Sequence, residues 1–309
     1  MQTLHDICVD KLRAVMAARP DLSSGKPLLV GLIGRGIQLS RTPAMHEREA
    51  ARFGLDYAYL LVDFDQLGLD DDALPGVLSA GAALNFQGFN VTHPFKQQVM
   101  PLLDGIAPEA AAIGAVNTVV YTSGRTPRAT TGHNTDCWGF AESFRQGLNG
   151  VPLRHVVQFG AGGAGAAVAH ALLQLGTETL SIIDTVPARA AALAAHMNRE
   201  WGSSERVQAT AKVADALAWT DGIVNTTPVG MAKYPGMPFP AEALRRQHWV
   251  AEIIYFPEET ELLRAATALG CRTLAGTGMA IGQAVRAFEL FSGCKSDMAA
   301  MAGHFAAAA

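Results

Sequence analysis

Short apolar runs separated by polar, glycine-bearing turns recur along the whole chain, and their lengths predict its secondary structure. Residues 1–20 carry apolar side chains at helical spacing and predict an amphipathic helix. Pro27 leads into Leu28-Leu29-Val30-Gly31-Leu32-Ile33, which has the length and apolar content of a buried parallel strand. A polar loop runs from Arg35 to Arg41. Thr42-Pro43 then supplies a helix N-cap and a proline at the first helical position, and Gly54 stops that helix after Phe53. Further strands are predicted over residues 57–64, 88–91 and 116–121, the last closed by a turn at Ser123-Gly124. The first half is therefore α/β in its own right, and a helix over residues 134–148 leads out of it.

The most informative stretch follows. Val156-Val157-Gln158-Phe159 is an apolar strand running straight into Gly160-Ala161-Gly162-Gly163-Ala164-Gly165, the pattern GxGxxG. A helical stretch comes next, then the strand Leu180-Ser181-Ile182-Ile183 with Asp184 at its tip. A dinucleotide site requires that order. Gly160 allows the tight turn, Gly162 lets backbone N–H groups approach a pyrophosphate, and Gly165 lets the helix pack on the strand. A carboxylate at the second strand's end accepts from the adenosine ribose. The pattern itself admits either a nicotinamide or a flavin nucleotide. The β–α alternation continues through Val207, Ile223-Val224, residues 250–254 and residues 271–274. A final long helix is predicted over residues 278–291, with Ile281, Val285 and Phe288 on one face and Arg286 and Glu289 elsewhere. The Ala-rich tail after Met301 reads as a frayed helix end.

Composition narrows the class. The chain has 309 residues, enough for two domains, with 49% hydrophobic and 17% charged side chains. A net charge of −4 without a long basic run suggests neither nucleic acid nor an acidic membrane surface as partner. Cys8, Cys137, Cys271 and Cys294 form no CxxC pair, and the nine histidines show no HExxH spacing, so neither a disulfide framework nor a metal site is expected. Asp6 and Asp10 interrupt the first apolar stretch, which argues against a signal peptide, and no apolar run is long enough to span a membrane. A small-molecule enzyme of the cytoplasm is the expectation.

Two loops could carry its chemistry. Asn90-Val91-Thr92-His93-Pro94-Phe95-Lys96 reads as a strand end, a turn and a lysine on the first turn of a helix, where the helix dipole disfavours a cation. Gly132-His133-Asn134-Thr135-Asp136 reads as another loop entering a helix. If they meet, Lys96 and Asp136 can manage the proton of a hydroxyl while a nicotinamide takes the hydride. On spacing alone, such residues are more often solvated caps.

The ordered motifs give more. Leu39-Ser40-Arg41-Thr42-Pro43-Ala44-Met45-His46, Asn90 through Lys96, Gly114-Ala115-Val116-Asn117-Thr118, Gly132 through Asp136, Asn225-Thr226-Thr227-Pro228-Val229-Gly230-Met231 and Gly276 through Gln283 together resemble the shikimate dehydrogenase family over nearly the whole chain. The Ser-x-Thr form of the first motif and the acid at Asp184 are most similar to its NAD-dependent quinate/shikimate branch. The resemblance implies an α/β fold with an N-terminal substrate-binding domain over residues 1–133 and a Rossmann-type doubly wound NAD-binding domain over residues 134–277. C-terminal helices over residues 278–309 would return to the first domain. It implies Lys96 and Asp136 as the catalytic pair. Ser40 and Thr42 would take the substrate carboxylate, Asn90, Thr92, Asn117 and Gln283 the ring hydroxyls, and Tyr255 would lie near the carboxylate end. On the cofactor side it implies Gly160, Ala161, Gly162, Gly163, Ala164, Gly165, Asp184, Arg189, Thr226, Thr227, Pro228, Val229, Met231, Gly276 and Met279.

Departures from the family pattern bear on the cofactor. Its NADP-dependent members resemble Asn-Arg-Thr after the second strand, whereas Asp184-Thr185 here offers a carboxylate that would repel a 2′-phosphate. NAD is therefore expected ahead of NADP, and Arg189, further along, reads as a helix-surface residue. Glu252 stands where an aspartate is usual, and Thr42 replaces a serine. Lys96 as base and Lys96 as stabiliser of a developing alkoxide remain equal roles, since Asp136 favours the charged amine. Alternatives are a shikimate-only or aminoshikimate-type paralogue using NADP, and a non-catalytic ligand sensor. The expected partners are quinate or shikimate, in a monomer or a homodimer.

Overall fold

The computed structural model describes residues 2–19, 26–122, 128–203 and 205–307; the turn expected at Ser123-Gly124 lies outside the described residues. The chain divides into two compact units. The first comprises residues 1–111, 115–135 and 284–309, and the second comprises residues 112–114 and 136–283.

The first unit is built on a six-stranded mixed sheet. Its strands are β1 (Leu28–Gly34), β2 (Tyr57–Asp63), β3 (Phe86–Val91), β4 (Gly105–Ile106), β5 (Thr118–Tyr121) and β6 (Thr130–His133), in the order β2-β1-β3-β5-β6-β4. β1 pairs in parallel with β2 and β3, so its two edges are covered and its residues 29–34 are all buried. That is why its run is continuously apolar rather than alternating. β5 then enters antiparallel to both β3 and β6. The helix Leu4–Ala17 packs on the helix Leu74–Ala83, and the helix Thr42–Arg52 lies against β2. Leu12, Ile33, Leu60, Val77, Phe89 and Val119 contribute to the core between these layers.

The second unit is an all-parallel sheet of β7 (His155–Phe159), β8 (Thr179–Ile183), β9 (Val207–Ala209), β10 (Gly222–Asn225), β11 (Trp249–Glu252) and β12 (Arg272–Leu274). The order β12-β11-β10-β7-β8-β9 runs outward in both directions from the β7/β10 pair. This is the doubly wound order with its switch point between β7 and β10, and ligands of such sheets bind at the carboxyl ends of the strands there. The α/β class and the Rossmann-type half expected from the sequence are both present. The last long helix, Thr277–Ser292, buries Ile281, Val285 and Phe288 as its spacing predicted, and from residue 284 onward it belongs to the first unit.

Several local expectations change. Lys96 is not on a helix: residues 93–99 form consecutive turns that end in the short 3-10 helix Met100–Leu102. The Lys96 carbonyl accepts from the Val116 N–H at 2.8 Å, while Met100 N–H turns to Gln97 instead. With no helix there, the dipole argument against a cation at Lys96 falls away. Gly132 and His133 close strand β6 rather than forming a loop. Thr42 is the first helical residue, not the N-cap, which is Arg41 without a side-chain bond. The strand expected to reach residue 254 ends at Glu252, whose carboxylate takes the Ile254 N–H.

Close packing makes one glycine of the second sheet diagnostic. The Trp249 indole, 1% exposed and donating to the Pro152 carbonyl, covers the face of Gly222, where an added Cβ has no room. Gly222→Ala is therefore expected to cost about 1–3 kcal/mol by overpacking. It would show as a lower thermal midpoint, and an unchanged midpoint would contradict this register.

Candidate active site

The loop after β1 carries the Ser40 hydroxyl and leads into the helix Thr42–Arg52, whose first residue supplies the Thr42 hydroxyl. Its shape is set by Asp63 at the end of β2. One carboxylate oxygen accepts from Gly36 N–H at 3.0 Å and Asp65 N–H at 3.1 Å; the other accepts from Ile37 N–H at 3.1 Å and the Gln38 amide at 2.9 Å. Gly36 meets this clamp with φ +62°, a conformation that favours glycine. Arg35 is held by Asp65, Asp71 and the Leu69 carbonyl. Ser40 is half-buried, and its Oγ accepts from Thr42 N–H at 3.3 Å. Thr42 is buried.

Across the same unit, a buried polar network joins the other substrate candidates. Asn90 accepts from the Tyr59 hydroxyl at 2.8 Å and donates to the Thr118 hydroxyl at 2.9 Å and the Asn117 carbonyl at 3.3 Å. Asn117 Oδ1 accepts from Thr135 N–H at 2.8 Å and the Thr118 hydroxyl at 3.0 Å, and its Nδ2 donates to the Thr135 hydroxyl at 3.0 Å. Both amides lie at 3% exposure. Their inward bonds tie β3, β5 and the chain leaving β6 together. Thr92 and Lys96, on the segment leaving β3, are half-buried. His46 is fully buried; burial pushes its pKa down to about 3, so it is neutral, with Nδ1 at 3.0 Å from the Tyr57 hydroxyl.

In the second unit, Asp136 is buried at the first position of the helix Asp136–Gly147. Tyr255 and Gln283 are half-buried, and the Gln283 amide donates to the Ala280 carbonyl at 3.0 Å. The glycine motif adopts the expected geometry. Gly160 has φ +102°, and an added Cβ there would lie 2.6 Å from the Thr226 hydroxyl. At Gly165 the crowding atom is the Gly160 carbonyl oxygen, at 2.5 Å. Gly162, the N-cap of the helix Gly163–Gln174, faces open space instead, with no atom within 4 Å of an added Cβ. Two tight glycines thus bring a third, open one to a helix N-terminus whose first N–H groups have no partner within the helix. A pyrophosphate fits there.

The loop's supports include residues that sequence reading passed over. The Gln158 amide donates to the Gly160 and Gly165 carbonyls, both at 2.9 Å. A polar residue inside an otherwise apolar strand, just ahead of the motif, was the available signal. The Thr226 hydroxyl reaches the Phe159 carbonyl at 2.7 Å and the Gly160 carbonyl at 3.0 Å, so this residue shapes the turn. Asp184 accepts from Ala161 N–H and Val186 N–H, both at 2.8 Å. Thr227 and Val229 are half-buried, Pro228 and Met231 exposed, and Gly276 and Met279 buried. Arg189 lies exposed on the helix Pro187–Glu200. Among the described residues no His, Cys, Asp or Glu cluster could hold a metal, and no helix is long and apolar enough to cross a membrane.

Together, a doubly wound sheet, an open glycine at a helix N-terminus and an acid at the end of β8 define a dinucleotide-binding protein of the Rossmann class. Comparison with known proteins makes that class specific. A family model described as the shikimate dehydrogenase substrate-binding domain matches residues 32–119. The chain is 54% identical to a shikimate dehydrogenase (NADP(+)) of Streptomyces avermitilis, over 87% of this chain and 91% of that protein. It is 46% identical to a quinate/shikimate dehydrogenase (NAD(+)) of Corynebacterium glutamicum, over 89% and 96%. Its fold is similar to that of quinate dehydrogenase from Corynebacterium glutamicum in complex with NAD, with TM-score 0.84 and 45% identity, covering 92% of this chain and 100% of that one. The chain belongs to the shikimate dehydrogenase family.

Asp63 yields a pH prediction. Burial works against its charge, but the bonds from Gln38, Gly36, Ile37 and Asp65 outweigh it and hold the carboxyl below its ordinary value of 3.8. A depressed folded pKa stabilises the fold above the unfolded value, and that stabilisation is lost as pH falls below 3.8 through the folded value. Asp63→Asn should therefore lose less stability than wild type on acidification, while costing about 1–3 kcal/mol at neutral pH through unsatisfied donors. Thermal unfolding at pH 7 and pH 3 checks both; equal acid losses in the two proteins would contradict the clamp.

Proposed function

We propose that the protein is a quinate/shikimate dehydrogenase, oxidising a ring hydroxyl of quinate or shikimate reversibly to 3-dehydroquinate or 3-dehydroshikimate with NAD. The observation that carries this reading is Asp184. Its carboxylate stands at the end of β8, where a dinucleotide's adenosine ribose lies in this fold, and two backbone bonds leave it acceptor capacity for ribose hydroxyls. It would repel a 2′-phosphate. The NAD-named relatives support the same choice.

In this reading Ser40 and Thr42 hold the substrate carboxylate through hydroxyls, which suffice because hydrogen bonds to a charged acceptor are strong. Thr92, Asn117 and Gln283 orient the ring hydroxyls; Asn90 shares that role through the network that fixes Asn117, and Tyr255 lies at the carboxylate end. Gly160 through Gly165 cradle the pyrophosphate, while Thr226 through Met231, Gly276 and Met279 flank the nicotinamide. Held by these residues, a nicotinamide would supply the hydride acceptor for the carbinol carbon. Lys96 and Asp136 are the catalytic residues: Lys96 takes the hydroxyl proton as a neutral amine or stabilises the developing alkoxide as an ammonium. The reading includes a cytoplasmic address and a monomer or homodimer, with neither nucleic acid nor membrane as partner. A second reading, a shikimate dehydrogenase using NADP, is favoured by the 54% identity to a relative named for that cofactor.

The two readings separate when quinate and shikimate are each assayed with NAD and NADP by nicotinamide absorbance. The first expects NAD turnover with both acids, and the second NADP turnover with shikimate only. Lys96→Ala should lower kcat by about 10²–10⁴, the usual loss of an acid–base group, with NAD binding retained. Near-normal turnover would remove Lys96 from the mechanism. Asp184→Ser combined with Thr185→Arg should move the ratio of kcat/KM values toward NADP, and a ratio that stays put would refute the role of Asp184.

A further inference from the structure

Glu252 is buried at 1% exposure at the end of β11, register-paired with Asn225 at the end of β10. Its carboxylate accepts from the Asn225 amide at 2.9 and 3.1 Å, from Ile253 N–H at 3.0 Å, from Ile254 N–H at 3.2 Å and from the Thr260 hydroxyl at 3.3 Å. The other Asn225 contacts extend this hub. Its amide also donates to the Val229 carbonyl at 2.9 Å, and its oxygen accepts from the Thr227 N–H at 3.0 Å and hydroxyl at 2.7 Å. Gly230, at φ +116°, has no room for strain-free growth against Ile254 and Thr260. One buried carboxylate therefore ties the segment 225–231 to the segment 253–255 and to Thr260, which caps the helix Glu261–Leu269.

We propose that Glu252 is a positioning residue whose carboxylate sets the shape of the loops that receive the nicotinamide half of the dinucleotide. The inference rests on the dinucleotide reading above. It follows from the switch point: with the adenosine side at β8 and the pyrophosphate at β7, the far half falls at the ends of β10 and β11. The Asn225 amide nitrogen and the Ile253 and Ile254 N–H groups can only donate to the carboxylate, whereas the Thr260 hydroxyl can turn to accept; protonation therefore reverses the Thr260 bond or displaces a donor, and the other bonds lose their charge assistance. Burial, opposed by the bonds from Asn225, Ile254, Ile253 and Thr260, raises this carboxyl to about 7, which brings the change into the working pH range. The titratable and charged side chains on the surrounding segments are Lys233, Glu258, Glu259, Glu261, Arg264 and Arg272, all exposed, and the half-buried Tyr255 and Cys271; the groups acting on Glu252 itself are neutral.

The experiment compares NAD with ADP-ribose, which lacks the nicotinamide, by calorimetric binding to the full chain between pH 5.5 and 8.5. In wild type the preference for NAD over ADP-ribose should rise about fivefold through pH 7, roughly the difference between a charge-assisted and a neutral hydrogen bond, while ADP-ribose affinity stays level. Glu252→Gln should show the low ratio at every pH with ADP-ribose binding intact, and Glu252→Asp should restore the pH dependence in part. A Glu252 that merely supported the fold would weaken both ligands together, and that result overturns the proposal. The wild-type titration needs no variant: a flat ratio overturns it as well. A wild type that binds neither ligand refutes the dinucleotide reading itself, and this proposal with it.

Discussion

A strand that ends inside a protein leaves backbone N–H and carbonyl groups that must find partners, because an unpaired buried polar group costs about as much as several favourable contacts return. That constraint governs both sheets here. In the first unit, the chain leaving β1 turns its N–H groups onto Asp63, and the ends of β3, β5 and β6 are tied by the Asn90, Asn117, Thr118 and Thr135 side chains. In the second unit, Gln158 and Thr226 take the carbonyls of the glycine turn, and Glu252 takes the N–H groups beyond β11. The candidate functional side chains sit on these tied-off ends. Their positions follow from backbone accounting as much as from ligand binding.

The same accounting separates what the sequence reveals from what it hides. Apolar runs such as residues 28–33, and 156–159 but for Gln158, announce themselves because both faces of a parallel strand are covered. The glycine motif is legible because each glycine answers a separate demand, turn, opening or packing, and the three differ visibly in the space around them. Strands β4 and β6 are not legible: Gly105–Ile106 is two residues long, and Thr130–His133 is polar. Period and composition are silent over such stretches. The helix predicted at Lys96 does not form for a related reason. A proline followed by long side chains resembles a first helical turn, and only the distant Val116 N–H on the Lys96 carbonyl diverts the chain.

Roles within the site divide along a similar line. Resemblance to a family placed Asn90 and Thr226 among ligand-binding residues, and the structure gives both internal partners as well. Asp63, Gln158 and Glu252 carry the local geometry, yet none belongs to a motif that announces chemistry. Each is a polar residue at or near the end of an apolar strand. That position, read alone, is a signal: a strand end with an Asp, Gln or Glu has a means of closing its own backbone bonds, and the loop beyond it is the one held in a defined shape.

Asp184 shows where support and recognition cannot be separated. A carboxylate has about four lone-pair sites, and Ala161 N–H and Val186 N–H use two. One of those bonds fixes the amide next to the open Gly162, so the residue that faces the adenosine ribose in the proposed reading also holds the start of the pyrophosphate cradle. Replacing it to admit a 2′-phosphate removes the repulsion and loosens the cradle in the same step. Cofactor preference at this position is thus coupled to binding of the shared part of the dinucleotide, and a chain that changes preference here must supply another acceptor for the Ala161 N–H.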